Sequence, residues 1–282
     1  MTGVSSPIAN ISFSLAAAFA WGVGDFTGGQ AAKQRNVFAV VIIADIAGLV
    51  LMLALALGRG EALPSRHGMI MAALAGVVGG AGLTAFYRAL SLGRVGLNAS
   101  VTAVLAVALP VLFGVFTEGL PKPLQLAGFA LALLSIALIS LSDLAAGPPR
   151  GFGLAVLAGA GFGGFLILSK LAGDHGLFWI LTVIRVASLA LVLIIFWSTE
   201  KRWLPSWSGW RLATVAGILD VLGNLFYVLA TRAGRMDVSA VLSSLYPAVT
   251  IALAIIFLHE RMSLPQKFGI AGALAATVLL AL

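Results

Sequence analysis

An all-α integral membrane fold is predicted: ten transmembrane helices, arranged as two inverted five-helix repeats around a central cavity. Three observations carry this prediction. First, 61% of the 282 residues are hydrophobic and only 10% are charged, with a mean hydropathy of +1.09. So few charges cannot cover a soluble domain of this size, so lipid must be the main solvent. Second, the chain holds ten apolar runs of about 20 residues, the length that crosses a bilayer core as a helix. Third, the second half of the chain repeats the first. The runs are continuous and rich in Ala, Leu and Gly, which excludes the period-two alternation of a membrane barrel.

The first run, roughly 11–31, follows a start without Lys or Arg and exceeds a signal-peptide core, so it is read as a retained helix. It contains AWGVGDFTGGQ (20–30), with Trp21 and a lone acid, Asp25. The second run (37–57) carries Asp45, and the third (68–91) carries Gly76, Gly80, Thr84 and Tyr87. The fourth (97–117) holds Asn98, Thr102 and Pro110 and ends at Glu118; the fifth spans 123–142. After them come 151–172 and 177–198, the latter with Arg185. Trp197, Trp203, Trp207 and Trp210 surround the next connector and read as an interfacial belt. The eighth run (209–231) places Asp220, Asn224 and Tyr227 on one helical face. The ninth (237–258) holds Ser239, Ser243, Tyr246, Pro247 and Thr250, and the tenth is 265–282. Connectors are short, so any function is expected inside the bilayer.

The repeat is visible in three places. FYRALSLGR (86–94) resembles FYVLATRAGR (226–235), FTEGLPKPLQLAG (116–128) resembles LHERMSLPQKFG (258–269), and AWGVGDF (20–26) aligns with AGFGGFL (160–166). Residues 1–142 and 151–282 are therefore two five-helix units joined by 143–150. An odd helix number makes the units enter the membrane in opposite senses. Secondary transporters are commonly built this way, with a midplane solute site and rocking that alternates access.

A charged side chain at the bilayer centre costs about 2.5–3.5 kcal/mol on insertion scales, so it faces a partner or a wet cavity. Asp25 and Asp45 lie on antiparallel helices at similar depth, roughly 10 Å from the same surface. They read either as a proton- or amine-binding pair or as hydrated structural acids. Arg185 either takes a substrate carboxylate two-pronged or forms a static bridge with Asp45 or Asp220. Tyr87 and Tyr227 fall at matched repeat positions and are expected as aromatic walls of a cavity, together with Thr84 and Asn224. Ser243 and Tyr246 extend that lining from the ninth helix, and Asn98 and Thr102 from the fourth. Pro247 removes an amide donor and predicts a kink, and with Pro110 it is a candidate gate. Gly24/Gly28, Gly76/Gly80 and Gly159/Gly163 have the small-xxx-small spacing of close helix contacts.

Other chemistries find little support. Gly22-Val23-Gly24-Asp25 spells GxGD, the signature of intramembrane aspartyl proteases, which need two acids sharing a proton. However, Asp45 follows Ala44 rather than a tyrosine, comes after Asp25, and no PAL segment occurs. That protease is kept as a remote alternative, and a non-enzyme is expected. No HExxH, GxSxG or Walker motif is present, and His67, His175 and His259 lie far apart, so neither a metal nor another cofactor is expected. The 17 Lys and Arg against 10 acids are scattered over connectors, so nucleic acid is not an expected partner. The chain contains no cysteine.

Trp21-Gly22, Arg185, SSLYPAVT (243–250) and the helix-end acids Glu118 and Glu260 complete a resemblance to the drug/metabolite transporter superfamily, in its ten-helix EamA type. Two departures stand out: Leu105 replaces the tyrosine-proline of the ninth helix in the fourth, and Asp45 answers Arg185. The resemblance implies a bacterial inner-membrane exporter of aromatic or neutral amino acids, with cytoplasmic termini. Counting Lys and Arg in the connectors gives six on the side of the termini and nine opposite, against the positive-inside rule. The expected partners are a small-molecule substrate, the lipid bilayer and protons, with function as a monomer. Proton-coupled efflux of hydrophobic cations, with Asp25 exchanging drug for proton, is the alternative.

Overall fold

A computed structural model describes residues 6–34, 36–92, 95–140, 151–173, 175–199, 209–258 and 264–281. Its helices are α1 (Pro7–Gln34), α2 (Val37–Gly58), α3 (Arg66–Leu92), α4 (Val95–Glu118), α5 (Pro123–Ser140), α6 (Phe152–Leu171), α7 (Leu177–Thr199), α8 (Trp210–Ala233), α9 (Met236–Ser243), α10 (Tyr246–Leu258) and α11 (Leu264–Ala281). Among the described residues, all regular structure is helical. Six helices there are long and apolar enough to cross a membrane: α1, α2, α3, α6, α7 and α8. With α4, α5, the α9–α10 pair and α11 they make the ten-helix, two-repeat membrane fold. The joining segment 143–150, Glu260, and Trp203 and Trp207 of the expected belt lie outside the described residues.

The ninth run departs from expectation. Instead of one kinked helix it is two, separated by Ser244 and Leu245. Pro247 has no N–H to give the carbonyl of Ser243, so the helical ladder cannot continue through this point. The Leu245 N–H instead bonds the Leu242 carbonyl at 3.2 Å, and Ala248 N–H bonds the Leu245 carbonyl at 3.0 Å.

Packing follows the repeat. α1 lies along α8 as α6 lies along α3, and α3 meets α7 as α8 meets α2. α4 packs on α6 as α9 and α10 pack on α1, while α2·α7 and α5·α11 are each their own counterpart. A pseudo-two-fold axis therefore runs between α2 and α7. Missing side chains make the crossings possible: a Cβ on Gly217 would overlap the backbone of Ala44, and one on Gly76 would meet the Ile184 carbonyl. A Cβ on Gly161 would come within 2.7 Å of the Val78 carbonyl oxygen. Large apolar groups such as Phe19, Val50, Ile194 and Trp197 stay exposed on the outside, as suits a lipid solvent.

Candidate functional site

The elements converge on a cavity of about 100 Å³ between the two repeats. One wall is polar. Trp21 and Asp25 come from α1, Asp220 and Asn224 from α8, and Ser244 and Tyr246 from the broken helix. The facing wall is apolar: Ala75, Gly79 and Leu83 of α3, Ala106 of α4, and Phe162 and Phe165 of α6. α7 closes the space between them with Ile184, Arg185 and Ser188. Apart from Ser244 and Tyr246, at the break between α9 and α10, the lining residues sit in the interior of their helices, away from both ends.

Charge is unevenly matched around it. Arg185 Nη1 donates to Asp45 Oδ1 at 3.0 Å, and its Nη2 pairs with Asp220 Oδ2. Asp45 also accepts from Ser188 Oγ at 2.8 Å, so both of its oxygens are engaged. Its side chain is 1% exposed, against 33% for Asp220, which faces the cavity. Asp45 and Arg185 stand 140 positions apart, the offset of the repeat, and they meet across the pseudo-two-fold axis. Asp25 is different. Among the described residues no hydrogen-bond or ion-pair partner reaches its carboxylate. Next to it, Trp21 Nε1 donates to Asn224 Oδ1 at 3.0 Å and to the Asp220 carbonyl at 3.3 Å. That indole replaces a side chain on Gly223, whose Cβ would collide with its ring.

Six of the sequence candidates therefore border one cavity: Trp21, Asp25, Arg185, Asp220, Asn224 and Tyr246. Others lie off its wall. Tyr227 is fully buried and donates its hydroxyl to the Leu166 carbonyl at 3.3 Å, one turn beyond the cavity. Tyr87 packs against Phe86, with its hydroxyl over Gly28. Thr84 returns its hydroxyl to the Gly80 carbonyl at 2.8 Å, and Thr102 staples α4 to α6 through the Ala155 carbonyl at 3.0 Å. Ser243 is buried at the helix break, while its neighbour Ser244 faces the cavity. Asp45 is not on the cavity wall: its two oxygens are taken by Arg185 and Ser188. Pro110 is buried within α4; the side chains of Asn98 and Pro247 lie outside the described residues.

The sequence reading did not include Phe162, Phe165 or Ser188. The repeat alignment held a signal for them, since Phe162 and Phe165 are the mates of Gly22 and Asp25, and Ser188 shares the face of Arg185 one turn on. It also missed Glu61, which accepts the Leu177 and Phe178 amides at 2.8 and 2.7 Å and so caps α7. Glu118 does the same for α9 through the Met236 amide at 3.1 Å, while pairing with Lys170. Arg235 adds a bond to the Gly119 carbonyl at 2.9 Å and one to Asp237 at 2.7 Å. These contacts tie the two repeats together on the side of the N-terminus.

Apolar helices in two matched halves around one cavity define a multi-pass membrane protein of the inverted-repeat class. The chain belongs to the EamA-like transporter family, whose model matches twice, over residues 9–141 and 149–282. This places it in the drug/metabolite transporter superfamily. It is 32% identical over 104 residues to the uncharacterized protein MJ1333.1 of Methanocaldococcus jannaschii, a match covering 37% of this chain and 74% of that one. A solved crystal structure of a protein superposes with a TM-score of 0.81 at 17% identity, covering 97% of this chain and 96% of the other. That likeness concerns the fold.

Proposed function

We propose that this protein is an alternating-access exporter of small amine-bearing solutes, amino acids with apolar or aromatic side chains foremost. The observation that carries the reading is the pairing of walls in one cavity. A carboxylate without a partner, Asp25, stands on a polar wall that also holds Arg185 and Asp220, and it faces an apolar wall floored by glycines and lined by Phe162 and Phe165. An ammonium group suits Asp25, and an apolar side chain suits the phenylalanines. A sugar phosphate would want several cations, whereas Arg185 is the one cation among the described lining residues.

Efflux of hydrophobic cations is the second reading. It is favoured by the charge count around the cavity, where Asp25, Asp45 and Asp220 outnumber Arg185. Purified protein in liposomes separates the two. Counterflow of labelled against unlabelled amino acid is expected; no counterflow, together with pH-driven loss of a cationic dye, would replace the first reading by the second. We place the protein in a bacterial inner membrane as a functional monomer with cytoplasmic termini. A C-terminal reporter fusion active only in the periplasm would reverse that orientation.

A further inference from the structure

We propose that Asp220 is the protein's own stand-in for a substrate carboxylate on Arg185. On binding, the solute carboxylate takes the place of Asp220 at Nη2, and the released Asp220 joins Asp25 in holding the solute ammonium. This rests on the amino-acid reading above and specifies how a zwitterion is recognised.

The two partners of Arg185 are built differently. Asp45 is 1% exposed, and its second oxygen is fixed by Ser188 at 2.8 Å. Asp220 is 33% exposed, faces the cavity, and among the described residues its carboxylate accepts from Arg185 alone. One partner is locked and the other is exchangeable. The backbone of Asp220 is held separately, since its carbonyl accepts from Trp21 Nε1 at 3.3 Å. The side chain can therefore leave Arg185 while α8 stays in place.

The exchange also answers an electrostatic problem. A guanidinium waiting in an empty cavity with half its charge unmatched would be costly, because a buried ion without its partner is strongly unfavourable. Asp220 supplies the match at rest. Replacing one carboxylate by another keeps Arg185 paired throughout, since Nη2 offers either the same charge-assisted hydrogen bond while Nη1 stays on Asp45. The repeat mate of Asp220 is Gly80, which has no side chain, so the device exists on one side of the axis only.

The experiment uses three probes on the purified full chain in nanodiscs: phenylalanine, phenylethylamine and 3-phenylpropionate. Wild type is expected to bind phenylalanine, and 3-phenylpropionate only weakly, because Asp220 competes for Arg185. In Asp220→Asn, binding of 3-phenylpropionate should tighten at least about tenfold, the scale of a charge-assisted hydrogen bond regained, while phenylethylamine weakens. Asp25→Asn changes the cavity charge equally without freeing Arg185, and its gain for 3-phenylpropionate should be several times smaller. Equal gains in the two variants, or no gain in Asp220→Asn, overturn the exchange. Asp220→Ser, with thermal melting of each variant, guards against a folding defect by repeating the same gain. If wild type binds phenylethylamine but not phenylalanine, the amino-acid reading itself falls and the exchange with it.

Discussion

Replacing Arg185 by leucine is expected to destabilise the protein by about 3–5 kcal/mol, the usual cost of removing one partner from a buried ion pair. The cause is Asp45. It is fully buried, and after the change Ser188 alone among the described residues would reach it, through one oxygen. Pairing Arg185→Leu with Asp45→Leu should recover most of the loss, because a buried pair replaced by apolar groups of similar size is often neutral or stabilising. Thermal unfolding in one detergent at one pH measures both. A single variant within about 1 kcal/mol of wild type, the range of an exposed pair, would show that Asp45 and Arg185 do not form the central tie.

The placement of this pair adds a second consequence. Matched positions of an inverted repeat can touch only at the pseudo-two-fold axis, and α2 against α7 is where that axis runs. On the proposed rocking, residues at the axis keep their neighbours in both states, whereas the Glu61 and Glu118 ties at one end must change. An interaction equal in two states shifts no equilibrium between them. On that proposal the Asp45–Arg185 pair serves stability, and the end ties are where access would be decided.

Much of this was legible in the sequence, for reasons that can be named. Lipid as solvent leaves long unbroken apolar runs, so the helices were visible, and the repeat revealed the inverted halves. Asp45 and Arg185 could be paired because the repeat offset places them at matched positions. The cavity lining was read less well. Tyr87 and Tyr227 look like aromatic walls on a helical projection, but both are buried, and the Tyr227 hydroxyl is bonded to the Leu166 carbonyl. A helical face says which residues point together, not whether they point into a space or into a neighbour. Phe162 and Phe165 were missed for the converse reason: an apolar side chain on a membrane helix looks the same whether it meets lipid, core or cavity. The break at Ser244 and Leu245 exceeds the kink that Pro247 predicts. Losing one donor permits either, and packing of α9 and α10 against α1 and α4 decides.

Asp25→Asn is expected to abolish coupling to a pH gradient while leaving the fold intact, since among the described residues the carboxylate supports no hydrogen bond or ion pair. The sign follows from competition. An ammonium group is held by the ionised carboxylate, and a proton on that oxygen removes the charge that holds it. Substrate affinity in wild type should therefore rise with pH on the binding side, and a proton bound there should expel the solute. Asp220 is the other acid on the wall, and its carboxylate is paired with Arg185. Tyr246 borders the same cavity. In Asp25→Asn the affinity should fall by about tenfold or more, as a charge-assisted contact becomes a neutral one, and its dependence on pH should flatten. Liposomes loaded with substrate and given an imposed pH step provide the measurement. Wild type should accelerate with the gradient, and the variant should run at one rate in both directions. If the variant keeps the acceleration, Asp25 is not where the proton rides, and Asp220, released from Arg185 by substrate, is the next carboxylate able to carry it.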